Sequence, residues 1–111
     1  MDCLFCKIAS KEILSKVVYE DARCFAFRDI NPQAPTHILV VPLRHFARIT
    51  DMTETDKDLI GHLHWVAKEI AAKEGLNDFR LVINNGEEAG QSVWHVHLHL
   101  LSGRPFGWPP G

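Results

Sequence analysis

Long apolar runs, a surplus of positive charge and a cysteine framework are all missing from these 111 residues. No stretch approaches the roughly 20 apolar residues that a membrane helix needs, so no membrane partner is expected. Twelve Lys+Arg against fourteen Asp+Glu give a formal charge of −2. Proteins that grip a phosphate backbone usually carry a clear cationic excess, so no nucleic-acid partner is expected. Three cysteines are an odd count and too few for a disulfide scaffold, which points to a reducing, cytoplasmic setting. The start, Met1-Asp2-Cys3-Leu4-Phe5-Cys6, lacks the basic-then-apolar order of a secretory leader. Repeats, low-complexity segments and Pro/Gly/Ser-rich linkers are absent too. One domain over residues 1–111 is therefore expected.

What is present reads as α+β. Hydrophobic residues make up 46% and charged residues 23%, the balance of an ordinary globular protein. Residues 3–10 suit a short helix. Residues 17–19 and 24–27 read as strands joined by a turn over 20–23. Asn31-Pro32 and Ala34-Pro35 exclude helix from 29–35. A third strand runs over 37–41 and is closed by Pro42. A long helix starts near Thr53 or Thr55, each followed three residues on by an acid. Leu59, Leu63, Val66, Ile70 and Ala71 give it one apolar face, and Gly75 stops it. Strands over 79–83 and 94–101 flank a polar, glycine-bearing loop over 84–92. The pattern predicts a five-stranded antiparallel sheet with one long and one short N-terminal helix. The Pro/Gly-dense tail from Gly103 suits neither helix nor central strand.

Seven histidines are the unusual feature. In His95-Val96-His97-Leu98-His99-Leu100-Leu101, strand alternation puts His95, His97 and His99 on one face, neighbours roughly 7 Å apart. Val96, Leu98 and Leu100 fall on the other face and read as core. Two chemistries fit three co-facial imidazoles. They can chelate a metal, or one can attack phosphorus while its neighbours donate hydrogen bonds to phosphate oxygens. Upstream, Gly90-Gln91-Ser92, with Asn84 and Gly86, supplies hydrogen-bond donors rather than zinc ligands. His62 and His64 differ by two on a helix, so they point to different faces and imply no site. Cys24 reads as a small buried hydrophobe.

The His-Val-His-Leu-His-Leu-Leu run resembles the motif of the histidine-triad (HIT) superfamily. The similarity extends to Asp29-Ile30-Asn31-Pro32-Gln33-Ala34-Pro35-Thr36-His37, to Gly90-Gln91-Ser92-Val93 and to Trp108-Pro109-Pro110-Gly111, an ending that points to the Hint branch. The resemblance implies a HIT-like fold and a purine nucleoside phosphoramidase. Such an enzyme hydrolyses adenosine 5′-phosphoramidates to AMP and an amine through a nucleotidyl-histidine. By motif position His97 is the nucleophile, His99 contacts the phosphate, His37 takes part in proton relay and Ser92 lies near the leaving group. Gly90, Gln91 and Asn84 would contact the nucleotide, Asp29 the ribose hydroxyls, and Ile30 and Phe27 the base. Attack requires neutral His97, so activity is expected to fall on the acid side of pH ~6.5. A homodimer is implied, with the long helix and the Trp108 tail at its interface.

Cys3-Leu4-Phe5-Cys6 supplies two zinc ligands of the four that a closed site needs. Some Hint-like members and the related galactose-1-phosphate uridylyltransferases resemble this chain in having such a pair. Their zinc is completed by a histidine after the third strand and by the first triad histidine. The matching positions are His45 and His95, which implies a structural zinc on Cys3, Cys6, His45 and His95 that the chemistry does not require. Two reduced cysteines in a short helix are the plainer alternative. Three other functions keep the same residues: a dinucleoside polyphosphate hydrolase, a nucleotide-binding or scaffold protein with incidental catalysis, and a zinc enzyme.

Overall fold

The computed structural model describes residues 3–111. Five strands form one antiparallel sheet in the order β1-β2-β3-β5-β4. The chain enters through helix α1 (Leu4–Ala9), then runs through β1 (Val17–Glu20), β2 (Cys24–Arg28) and β3 (Thr36–Pro42). Two 3-10 turns, Ile49–Asp51 and Glu54–Asp56, lead into α2 (Lys57–Lys73), followed by β4 (Phe79–Val82) and β5 (Leu98–Ser102). The expected α+β sheet, long helix and short N-terminal helix are all present.

Alternation along β2, β3 and β5 divides the apolar side chains between two faces. Cys24, Ala26, Ile38, Val40, Leu98 and Leu100 pack against Leu63, Val66, Ala67 and Ile70 of α2. Phe25, Phe27, Leu39 and Val41 pack with Phe5 and Ile8 of α1 on the opposite face. β3 is buried along nearly all its length because it lies mid-sheet under both layers. The α2 residues expected to face the core, Leu59, Leu63, Val66, Ile70 and Ala71, are all buried.

α2 begins later than the acid pattern suggests. Thr53 N–H donates to Asp56 Oδ2 at 2.9 Å, which closes a capping box around a 3-10 turn, and the α-helix starts at Lys57. Asp56 is buried and also faces the Arg44 guanidinium at 3.3 Å. His62 is not a solvated surface residue. Its Nε2 lies 2.6 Å from Asp21 Oδ2, which also accepts from Tyr19 Oη at 2.8 Å. Burial would raise the Asp21 carboxyl, but the backbone N–H of Arg23 and three further donors hold it well below the carboxylate range. This cluster ties the β1–β2 turn to α2.

Candidate active site and metal centre

The fifth strand is shorter than its alternation predicts. Its ladder starts at Leu98, opposite Val40. Residues 95–97 fall outside the ladder, with a bend at His95, and Val96 N–H donates to Phe46 O at 2.9 Å in the segment after β3. The alternation survives this departure. His97 and His99 remain together, with ring centroids 4.8 Å apart, while Val96 packs with Phe46 and Leu59.

Hydrogen-bond partners assign the proton on each neutral ring. His97 Nδ1 lies 2.7 Å from His95 O. A carbonyl only accepts, so Nδ1 carries the proton and Nε2 keeps a lone pair. Gln33 N–H donates to His37 Nδ1 at 3.0 Å. His37 Nε2 is then the protonated nitrogen, and it donates to His99 Nδ1 at 2.9 Å. That leaves Nε2–H as the remaining donor of His99. His37 Nε2 also lies 3.6 Å from Asp29 Oδ2. The chain thus sets one bare nitrogen beside one imidazole donor.

Burial lowers all three basicities. It is the leading cause for His97, and it outweighs the opposing bond to His95 O. The ring therefore stays neutral further into acid than a free histidine. Burial also leads for His37, against the pull of the Asp29 charge. For His99, burial followed by the neighbouring His97 and His37 brings the value to about 4.

The residues expected around a nucleotide are distributed unevenly. Asp29, Ile30, Pro32, Pro35 and His37 line an open cleft of about 680 Å³ together with Leu14, Ser15, Lys16 and Arg28. Ile30 is 94% exposed at its rim, a position that suits contact with a flat apolar ligand. Phe27 lies in the core, stacked at 5.7 Å on Phe25 and edge-on to Phe5. Ser92 is exposed and Asn84 half-buried. Gly90 adopts φ +102°, and a Cβ there would meet Asn84 Nδ2 at 3.7 Å. The Gln91 side-chain amide is engaged within the protein. Its Nε2 donates to Ala47 O at 2.6 Å and to Val93 O at 3.0 Å, and its Oε1 accepts from Gly86 N–H at 2.9 Å. The amide braces the loop from inside.

Cys3, Cys6, His45 and His95 converge beside the triad, their ligand atoms all within 4.8 Å of one another. His95 Nε2 donates to Pro42 O at 2.7 Å, so Nδ1 is bare. That nitrogen lies 3.3 Å from Cys3 Sγ, 3.7 Å from Cys6 Sγ and 3.0 Å from His45 Nδ1. A tetrahedral zinc with bonds of ~2.0–2.3 Å has ligand–ligand edges of ~3.3–3.8 Å. The two N···S spacings fall in that range and the N···N spacing about 0.3 Å below it, so two sulfurs and two imidazole nitrogens could hold such an ion after a small spread of the rings. Burial, and then Cys3 alongside, raise the Cys6 thiol; a cation between the sulfurs would reverse that preference. The pair expected from the sequence and the two histidines are therefore one cluster.

The sequence reading missed three groups: Phe5, whose ring touches His95 and His97; Pro42 O, which orients His95; and Gln33 N–H, which orients His37. Phe5 reads as plain core, and backbone groups leave no trace in residue type.

The chain is similar to known proteins over nearly its whole length. The chain matches the HIT domain family over residues 10–106. It is 54% identical over 111 residues to a HIT-like protein of Synechocystis, covering 99% of this chain and 97% of that one. It is 51% identical over 112 residues to the 14 kDa zinc-binding protein of Zea mays, covering 97% and 87%. The crystal structure of a HIT family hydrolase from Legionella pneumophila superposes with TM-score 0.96 at 51% identity, over 99% and 100% of the two chains. A histidine triad nucleotide-binding protein from Candida albicans superposes with TM-score 0.81 at 32% identity, over 97% and 83%.

Proposed function

The chain belongs to the HIT domain family, and from that premise we propose that it is a purine nucleoside phosphoramidase of the Hint branch, acting as one domain over residues 1–111. The observation that carries this reading is the bond from His97 Nδ1–H to His95 O, which leaves His97 Nε2 as a lone-pair nucleophile beside His99.

In this reading His97 Nε2 attacks the α-phosphorus of an adenosine 5′-phosphoramidate. The Nε2–P bond forms as the P–N bond breaks, and the departing amine takes up a proton, with Ser92 near it. Water then attacks the same phosphorus, the Nε2–P bond breaks and AMP leaves. Splitting the substitution lowers each barrier. His99 Nε2–H donates to a phosphate oxygen as charge develops there. His37 supplies or recovers a proton through its contact with His99. Asp29 Oδ1 already accepts Asn31 N–H at 2.9 Å, so Oδ2 is the oxygen offered to a ribose hydroxyl. Ile30 covers the base from the rim, with Phe27 behind it. Gly90 lets the backbone approach the phosphate, with Asn84 alongside, while Gln91 holds the loop in place.

Cys3, Cys6, His45 and His95 would hold a structural zinc. That ion would cross-link α1 to the segment that carries the nucleophile just before β5, and no chemical step passes through it. The kinship with a plant protein named for zinc binding supports this. The kinship with a nucleotide-binding yeast protein supports the substrate class. A cytoplasmic homodimer completes the proposal. Trp65 on α2 is 53% exposed and Trp108 in the tail 85%, and β4 is an open sheet edge, features that a second copy would cover. Among the described residues, no helix is long and apolar enough to cross a membrane.

The test is mass spectrometry of enzyme quenched during turnover of an adenosine 5′-phosphoramidate. AMP attached to His97 is the expected result. Turnover at the native rate by His97→Ala, with no adduct, would overturn the assignment.

A further inference from the structure

The nucleophile sits just outside the sheet. The β5 ladder begins at Leu98, so no strand pairing fixes the backbone of His97. Immediately upstream, Val96 N–H reaches Phe46 O, and among the described residues the buried His97 ring has one hydrogen bond, to the carbonyl of His95. A reactive ring held by so little needs another constraint, and the structure shows where one lies.

Phe5 lies between the two cysteines of the first turn of α1 and is 3% exposed. Its ring meets His97 edge-on, centroids 5.0 Å apart at 85°, and meets His95 at 5.9 Å and 66°. The residue that touches the nucleophile is thus flanked by the two thiols that face His95 and His45. α1 has only six residues and its N-cap Cys3 makes no side-chain capping bond. A helix this short does not persist on its own. It is held by Phe5 and Ile8 in the core and by whatever closes the cysteine–histidine cluster.

We propose that Phe5 is a positioning residue that transmits closure of the Cys3/Cys6/His45/His95 centre to the His97 ring. This rests on reading that centre as a zinc site. Closure links both ends of the Phe5 turn to His95. The Phe5 ring is then clamped perpendicular to the His97 ring while the His95 carbonyl is held in register, and together they keep Nδ1–H on the carbonyl and Nε2 toward substrate. Opening the centre frees α1, and the His97 ring gains rotational and tautomeric freedom without any change in its own residue type.

The experiment uses the full chain, with zinc content measured first, and compares zinc-loaded, chelator-stripped and zinc-reloaded protein by long-range ¹H–¹⁵N spectroscopy of the histidine rings. The loaded protein is expected to show one His97 tautomer, Nδ1–H, with slow exchange of that proton. Stripping is expected to speed the exchange roughly tenfold or more and to mix the tautomers, and reloading to restore them. Phe5→Leu that retains its zinc is expected to resemble the stripped wild type. Ile8→Val, which trims the same apolar cluster without a ring against either histidine, is expected to keep the loaded signature. An unchanged His97 signature on stripping and in Phe5→Leu, with zinc shown to bind, overturns the proposal and leaves the zinc site standing. A wild-type chain that binds no zinc overturns both.

Discussion

His37 Nε2 lies 2.9 Å from His99 Nδ1, and the far nitrogen of His37 is occupied by the backbone N–H of Gln33. The proton between the two rings therefore belongs to His37 in the neutral state, and His99 is left to present Nε2–H outward. If His99 acts as that donor, His99→Ala lowers kcat by ~10²–10³-fold, the usual scale for one lost donor to a developing oxyanion. The adduct on His97 still forms, more slowly. Rapid quench followed by mass spectrometry separates this outcome from that of His97→Ala, which yields no adduct.

The pH dependence of stability follows from the same pair. Burial above all, and then His97 and His37, bring His99 to about 4, against ~6.5 for an unfolded chain. The unfolded state binds the proton first, so the contribution of neutral His99 is fully present above pH ~6.5 and is lost as pH falls toward ~4. Urea midpoints should drop steadily through that window, and the His99 ring should titrate near its lower end by NMR. A His99 midpoint at or above ~6.5 would show that the ring is not desolvated as described.

If the Cys3/Cys6/His45/His95 cluster holds zinc, its loss should be visible without any substrate. His45 is exposed but faces Cys6 Sγ at 3.5 Å. His45→Ala is expected to take zinc from about one per chain to below about 0.2 and to lower Tm by at least about 5 °C. Elemental analysis and calorimetry of untagged protein check both. Equal zinc content in the variant would exclude His45 as a ligand.

Gln91 offers an isosteric test. Gln91→Glu replaces the donor Nε2 by an oxygen that faces the carbonyls of Ala47 and Val93. Two bonds become two repulsions, with an expected loss of about 2–4 kcal/mol at pH 8. Protonating the carboxyl restores one donor, so the difference from wild type should be smaller at about pH 5. Paired denaturation curves at the two pH values decide it.

Much of this was legible beforehand, for reasons that differ by element. The α2 face from Leu59 to Ala71 follows from helical spacing, because a helix must hide one stripe. The sharing of one side by the triad histidines follows from pleat geometry and survived even where the ladder did not. The start of β5 was not legible, since Val96 N–H finds Phe46 O and that pairing depends on where the chain returns after β3. Gln91 shows the same dependence on the fold. In a glycine loop an amide looks like a ligand donor, yet it reaches across 44 residues of sequence to Ala47 O. His62 found Asp21 at a separation of 41. Side-chain type tells what a group can bond, and only the fold tells what stands opposite.

Gly103 marks a close approach that composition alone does not reveal. It adopts φ +104°, and a Cβ built there would lie 2.7 Å from Pro35 Cβ. Gly103→Ala adds backbone strain and a clash, for an expected loss of about 1–3 kcal/mol. A midpoint within error of wild type in urea would show that the turn before the tail relaxes freely.

The sheet also divides labour. Side chains alternate so that the imidazoles share their face with α1, while α2 closes the opposite face through Ala26, Ile38, Val40, Leu98 and Leu100. Substitutions on the outer side of α2 can therefore drift, or be rewritten by an engineer, without re-aiming a single nitrogen of the triad. Inheritance can rewrite the two faces nearly as separate traits.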